Sequence, residues 1–255
     1  MRSYEEIKKI WDDFKKNIKF NNRYFVGNEI LDILERFYDK ESNARQMIVT
    51  FSNLKPIYYR ARIGNFKNNK DEEKNKDREM LAPPIGKACA GRCNPEGISY
   101  LYLADNLATA IAEIKPNKGD VVTVAKIRAE NISWFNFGYY ATDDEVTRKF
   151  MKVKDEELIN LVKIINDDFK SVVTVDDKLS YLPFQYITEY LKSRDEKKNR
   201  VKIDGFMYDS TLGKGFNYVI FNWNENIEIV DKYLYTIENL KYKIGKLEDW
   251  KVAIY

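Results

Sequence analysis

The sequence predicts an α+β fold, a mixed β core with surrounding helices and a helical appendage at the N-terminus. Three observations predict it. Apolar residues recur at steps of three and four over residues 4–20 and 28–39, the period of amphipathic helices. Short runs rich in Val, Ile, Tyr and Phe cluster at 56–63, 99–137 and 203–237, the signature of strands. Strand and helix signals are grouped rather than strictly alternating, which argues for α+β rather than a parallel α/β sheet. With 255 residues, 44% of them hydrophobic and 33% charged, the chain has material for a sizeable core and a well-solvated surface.

Taken in order, Ile7, Ile10, Trp11, Phe14 and Ile18 mark the first helix, and Ile30, Leu31, Ile33, Leu34, Phe37 and Tyr38 the second. Pro56 to Ile63 reads as a strand. Residues 65–79 are almost wholly Asn, Lys, Asp, Glu and Arg, the composition of a solvated loop. Ser99 to Ala104 reads as a short strand. Asp105 is a suitable N-cap for a helix from Asn106 to Lys115, stopped by Pro116. The small residues Ala108, Ala110 and Ala112 would let that helix pack closely on a sheet. Val121 to Ile127 and Ile132 to Phe137 read as strands. Thr142-Asp143-Asp144-Glu145 fits a capping box, opening a helical region broken near Asn166. A further helix spans Leu182 to Lys192, followed by a charged, solvated tail. Ile203 to Ser210, Asn217 to Trp223, Ile227 to Val230 and Tyr233 to Ile237 complete the strands, with Gly213-Lys214-Gly215 as a loop.

Composition excludes much chemistry. The chain has no histidine, which removes Ser-His and Cys-His nucleophile schemes, His acid–base catalysis and most zinc sites. Cys89 and Cys93 are three residues apart, short of a metal site and unlike the redox C-x-x-C; they read as reduced thiols in a cytoplasmic protein. No metal is expected. The net charge of +3 gives no bulk drive toward nucleic acid. The N-terminus does not read as a signal peptide, and no run of 18 apolar residues marks a membrane span.

What remains is a constellation. Arg92 stands in Gly91-Arg92-Cys93-Asn94-Pro95-Glu96-Gly97, whose Asn-Pro-x-Gly turn can fold the segment back on itself. Tyr102 lies ten residues later, and Glu113 eleven after that. A guanidinium grips phosphate with a fork of donors. An aromatic face stacks on a flat ring. A carboxylate near an anomeric carbon stabilises an oxocarbenium-like transition state. Each also has an ordinary reading: a surface arginine paired with an acid, a core tyrosine, a solvent-facing glutamate. Ser210 ends a strand before a glycine loop; without histidine it is a hydrogen-bond donor rather than a nucleophile.

These stretches, with Asp204-Gly205-Phe206-Met207-Tyr208-Asp209-Ser210 and Gly215-Phe216-Asn217-Tyr218-Val219-Ile220-Phe221, resemble the RES domain family over roughly residues 56 to 223. The resemblance divides the chain into a helical N-terminal appendage, 1–52, and a RES domain, 53–255, with a helical insertion around 140–200. It implies a fold like that of ADP-ribosyltransferase toxins and an enzyme that cleaves the nicotinamide–ribose bond of NAD, with water or phosphate as acceptor and NAD as substrate rather than cofactor. By position, Arg92 would bind the NAD phosphates, Tyr102 would stack on the nicotinamide side, Glu113 would stabilise the ribosyl cation and Ser210 would help bind substrate. Arg60 is implied as a further phosphate contact, and Asn217 falls in the substrate-binding set. The resemblance also implies a growth-arresting toxin, with a helix-turn-helix antitoxin as partner or an anti-phage role, and it leaves room for an oligomer. The chain departs from compact members in its length, its N-terminal extension, its insertion, and Cys93 where many relatives carry an aromatic. Transfer of ADP-ribose to a macromolecule, and a module that binds nucleotide without cleaving it, stand as alternatives.

Overall fold

The helical period of the first residues is realised as a packed layer rather than a free arm. The computed structural model describes residues 1–38, 47–51, 56–67, 78–138, 155–171, 178–195, 202–222 and 226–240. Helix α1, Tyr4–Phe20, opens on a capping box in which the Ser3 hydroxyl accepts from the Glu6 N–H and Glu6 accepts from the Ser3 N–H. Its apolar stripe, Ile7, Trp11, Phe14 and Ile18, is buried. Helix α2, Asn28–Glu35, buries Ile30, Ile33 and Leu34.

The strands are β1, Ile48–Thr50; β2, Ile57–Ile63; β3, Leu101–Ala104; β4, Val121–Ala129; β5, Ser133–Asn136; β6, Gly205–Asp209; β7, Phe216–Ile220; and β8, Ile227–Thr236. Helix α3, Leu107–Glu113, follows β3; α4, Glu156–Phe169, and α5, Leu182–Asp195, lie between β5 and β6. Among the described residues the strands form one eight-stranded sheet in the order β1-β5-β6-β7-β3-β2-β4-β8. The β5–β6 pair is parallel and the other neighbours are antiparallel. The fold is therefore α+β with a mixed sheet.

Side chains alternate across each strand, so β5, β6 and β7 feed two cores at once. Phe135, Phe206, Tyr208 and Val219 join the core built with α1, α2, α4 and α5. Their sequence neighbours Trp134, Met207, Tyr218 and Ile220 pack on the other face with Leu101, Leu103 and Ile127. A third, smaller cluster of Ala61, Ala104, Ala110, Val122 and Val124 seats α3 on β2, β3 and β4. The short Ala110 side chain, 4% exposed, is what brings that helix down onto the sheet.

Several elements differ from the sequence reading. The N-cap of α3 is Asn106 rather than Asp105: Asn106 is extended and its side chain accepts from the Thr109 N–H at 2.8 Å, while Asp105 accepts from the Asn106 amide at 2.7 Å. The helix stops at Glu113 instead of reaching Lys115, because Lys115 adopts φ 46, outside the helical region. Asn166 does not break α4. It is buried inside the helix, with its amide donating to Asp209 at 3.3 Å. The segments read as two strands at 227–230 and 233–237 are one strand, β8, kinked by a bulge at Val230 where Lys126 faces Asp231 and Ile127 faces Ile229. Strand β1 lies in a stretch read as helical. The capping box at 142–145 and most of the charged 65–79 loop lie outside the described residues.

The N-terminal helices contribute to the same core as the sheet, and Trp11 is the test. It is fully buried, and its indole N–H donates to Asp168 at 2.6 Å. Trp11→Ala is expected to cost about 3–5 kcal/mol in urea unfolding, in a single transition that includes the sheet. Loss of helical signal alone, with the sheet melting unchanged, would refute the shared core.

Candidate functional site

Helix α3 ends at Glu113, and its length places that carboxylate at the mouth between the sheet and the loop after β6. The Ser210 hydroxyl donates to Glu113 Oε1 at 2.7 Å, and the Asn217 amide donates to the same oxygen at 2.6 Å. Oε2 carries no hydrogen bond among the described residues. Three sequence-predicted residues thus converge on one atom from α3, β7 and the end of β6.

The loop that delivers Ser210 is pinned from both ends. Ser210 N–H donates to the Gly215 carbonyl at 2.9 Å, and the Ser210 hydroxyl accepts from the Gly213 N–H at 3.0 Å. Gly213 approaches α3 so closely that a Cβ there would lie 2.8 Å from the Thr109 Cα. A Cβ on Gly215 would fall on the Asp105 carboxylate. The glycines of this loop are required by close approach, not by a phosphate cradle.

Tyr102 stands on β3, beside Val219 of β7. Its hydroxyl donates to Asn94 Oδ1 at 2.7 Å and accepts from the Cys93 N–H at 3.0 Å. It therefore fastens the 91–97 turn to the sheet. Asn94, 3% exposed, also donates to the carbonyls of Cys89 and Ile98 at 2.9 Å each, and Gly97 takes the left-handed φ of 84. The turn folds the segment back as the Asn-Pro-x-Gly spacing predicts. Burial holds the Tyr102 phenol well above its ordinary value, with the nearby Cys93 adding to the shift.

The two arginines part company. Arg92 donates to the carbonyls of Phe169 and Ser171, at the C-terminal end of α4, with the Ser171 contact at 3.3 Å. Its guanidinium also lies 5.9 Å from the Phe169 ring centroid and 6.0 Å from that of Phe184. Cation and carbonyls at a helix C-terminus attract each other, so Arg92 is an anchor for α4. Among the described residues Arg60 has one hydrogen bond, to the Tyr102 carbonyl at 3.1 Å, and its buried Nε has no partner. Burial, then the charge of Arg62, pushes its pKa down to about 10. Arg62 itself is engaged by Glu79 at 2.8 Å.

Two cavities meet at this carboxylate. One, about 520 Å³, is bounded by Tyr59, Arg60, Arg62 and Ile114. The other, about 310 Å³, is bounded by Arg92, Lys115, Tyr181 and Thr211. Glu113, Tyr102, Asn217 and Tyr208 line both. Five of the six sequence-predicted residues, Arg60, Arg92, Tyr102, Glu113 and Asn217, thus line one or both of these cavities, and the sixth, Ser210, reaches them through Glu113. Tyr208, Tyr59, Tyr181 and Lys115 were not anticipated. Tyr208 could have been flagged by its position two residues before Ser210. The others carry no local signal. The arrangement offers a positioned carboxylate with cationic groups on either side, suited to a substrate that develops positive charge between anionic or polar ends. Among the described residues, no three His, Cys, Asp or Glu side chains are grouped as a metal site needs. No helix among the described residues is long and apolar enough to cross a membrane.

The RES domain family model matches residues 62–237. No curated protein matches the chain. Among solved structures, a chain of the M. tuberculosis MbcT-MbcA toxin-antitoxin complex is 11% identical, with 78% of this chain and 94% of that chain covered and a TM-score of 0.42.

The thiols give a check on the turn. Cys93 is fully buried and its pKa is pushed up to about 12 by burial, whereas Cys89 is exposed. A disulfide-exchange reagent at pH 8 is expected to titrate one thiol in the native protein and both after denaturation. Two thiols reacting natively would contradict the packing of the turn. Cys93, Tyr102 and Tyr208 all have folded-state values above their ordinary ones. Their protonated forms are thus favoured by folding, and that stability is intact below about pH 9 and lost as pH rises beyond it.

Proposed function

The chain belongs to the RES domain family, and from that membership and the geometry at Glu113 we propose that it cleaves the nicotinamide–ribose bond of NAD. The observation that carries the reading is the Glu113 carboxylate, oriented by Ser210 at 2.7 Å and Asn217 at 2.6 Å through one oxygen, with the other unengaged among the described residues. Positively charged nicotinamide is already a good leaving group. The protein has to hold the dinucleotide, orient the ribose and meet the positive charge that grows on it as the bond breaks. A fixed carboxylate does the last of these without metal or histidine, because its orientation is set before reaction. Arg60 supports the holding role: it is a half-buried cation whose Nε has no partner among the described residues, at the wall of the larger of the two cavities, suited to the pyrophosphate. Tyr102 offers its ring to the base while its hydroxyl stays on the turn. Nicotinamide leaves as the bond breaks, and water, losing a proton to solvent, or phosphate then captures the ribosyl cation to give ADP-ribose or ADP-ribose-1″-phosphate.

An enzyme of this kind drains a central cofactor, so the cellular role that fits is a growth-arresting toxin acting in the cytoplasm. Such an activity demands restraint, by an antitoxin of the helix-turn-helix type or by a trigger tied to infection.

The test is NAD loss with product identification by mass, with and without phosphate. Glu113→Gln is expected to lower turnover about 10²–10³-fold while circular dichroism and melting temperature stay those of wild type; equal turnover would sink the mechanism. Biotinylated NAD that labels a protein or nucleic acid would mean transfer instead. Arg60→Gln is expected to raise KM about tenfold or more, as for the loss of a charged hydrogen bond, with a smaller effect on kcat. A change confined to kcat would remove Arg60 from the phosphate role.

A further inference from the structure

We infer that Tyr208 is a further substrate-positioning residue, whose phenol hydroxyl donates a hydrogen bond to an oxygen of the ribosyl group held at Glu113. The inference rests on the NAD-cleaving reading of the same site.

Tyr208 is 5% exposed, yet its hydroxyl makes no hydrogen bond among the described residues, and it is not among the polar atoms sealed from solvent. A buried polar side chain is ordinarily paired, because an unmet donor costs free energy. Here the oxygen opens instead onto the space that both cavities share, since Tyr208 lines each of them. The backbone sets its address. Tyr208 on β6 faces Asn217 on β7 in register, and the Asn217 amide is 2.6 Å from Glu113 Oε1. The phenol thus stands next to the carboxylate that meets the reacting sugar. Burial chiefly, then Cys93, raises its pKa, and both Arg92, which lowers it, and Glu113, which raises it, are close enough to act on it electrostatically.

The ring is held for this task. It stacks on Phe169 at 4.5 Å and 19°, and Phe169 packs in turn against Phe184 at 4.3 Å, tilted by 35°. That column leaves the phenol little freedom to swing away. The contrast with Tyr102 is instructive. Both tyrosines line the shared space, but the Tyr102 hydroxyl is consumed by Asn94 and the Cys93 N–H. Of the two, Tyr208 keeps a donor unengaged among the described residues. A ribose offers hydroxyl oxygens and a ring oxygen within reach of such a donor, and a protein that fixes the sugar from two sides limits its rotation about the breaking bond.

Tyr208→Phe removes one oxygen and keeps the stack. Because the hydroxyl has no partner among the described residues, a purely structural residue would leave activity unchanged, and the melting temperature is expected to stay level or rise. For NAD consumption, kcat/KM is expected to fall about tenfold or more, the value of one lost hydrogen bond. Calorimetric NAD binding is measured in parallel on Glu113→Gln and on Glu113→Gln with Tyr208→Phe. Weaker binding in the double variant supports a contact already made with bound NAD; equal binding with reduced turnover supports one made only as the bond breaks. Wild-type turnover undiminished in Tyr208→Phe overturns the inference alone. A fall in melting temperature alongside lost activity also overturns it, by assigning the hydroxyl to the fold. A wild type that neither binds nor consumes NAD overturns the inference and the functional reading together.

Discussion

Two hydrogen bonds onto a single oxygen of Glu113 tie together parts of the chain about a hundred residues apart. They depend on how close the loop after β6 can come to α3. Had Gly213 any side chain, its Cβ would press on the Thr109 backbone, and Ser210 would be lifted off the carboxylate. Ala110 makes the same demand on the other side, letting the helix settle on β2 and β4. The site is therefore built by omission: small residues where backbone meets backbone, so that three polar side chains can meet beyond them.

The helical layer supports this arrangement from behind. Helix α4 carries Phe169 at its end, and Phe169 bridges the Arg92 guanidinium, the Phe184 ring and the Tyr208 ring. Trp11 and Lys15 of α1 both reach Asp168 next to it, at 2.6 and 2.7 Å. Arg36, between α2 and β1, meets Asp155 at the start of α4 at 3.3 Å and Glu157 at 3.0 Å. Partly exposed ion pairs of this kind add little stability one by one. Their geometry matters more, because they hold both ends of α4 while its apolar face fills the core. Residues ahead of the matched 62–237 segment thus bear, through α4, on the position of Tyr208.

The sequence disclosed much of this where chemistry and spacing coincide. Glu113 stood out as a carboxylate on an otherwise small and apolar helix. Ser210 and Asn217 stood out in a strand–glycine loop–strand pattern. Arg92 was legible as a cation in a turn, but its destination was not: the carbonyls of Phe169 and Ser171 have no side-chain signature, and they lie more than seventy residues away. Tyr208 sits in Phe206-Met207-Tyr208, a run that reads as core because alternation cannot distinguish a tyrosine whose tip ends in apolar packing from one whose tip reaches a cavity. Strand β1 has three residues, too few to show any period. The bulge at Val230 broke the alternation of β8 and made one strand look like two.

A chain without histidine has to do without the side chain best suited to exchanging protons near neutrality. A bond-breaking step in which a neutral leaving group departs needs no such exchange. The site's two shared phenols are both shifted upward, so they remain hydrogen-bond donors across the physiological range rather than becoming bases. Arg60, even with its pKa pushed down to about 10, keeps its charge there. Fixed donors, fixed cations and an oriented carboxylate together give an electrostatic field that is already in place before a substrate arrives. Bond cleavage that places positive charge on a sugar gains from such a field in proportion to how little it must rearrange. The stacking of Tyr208, the pinning of the 211–215 loop and the anchoring of α4 by Arg92 all act to keep that rearrangement small.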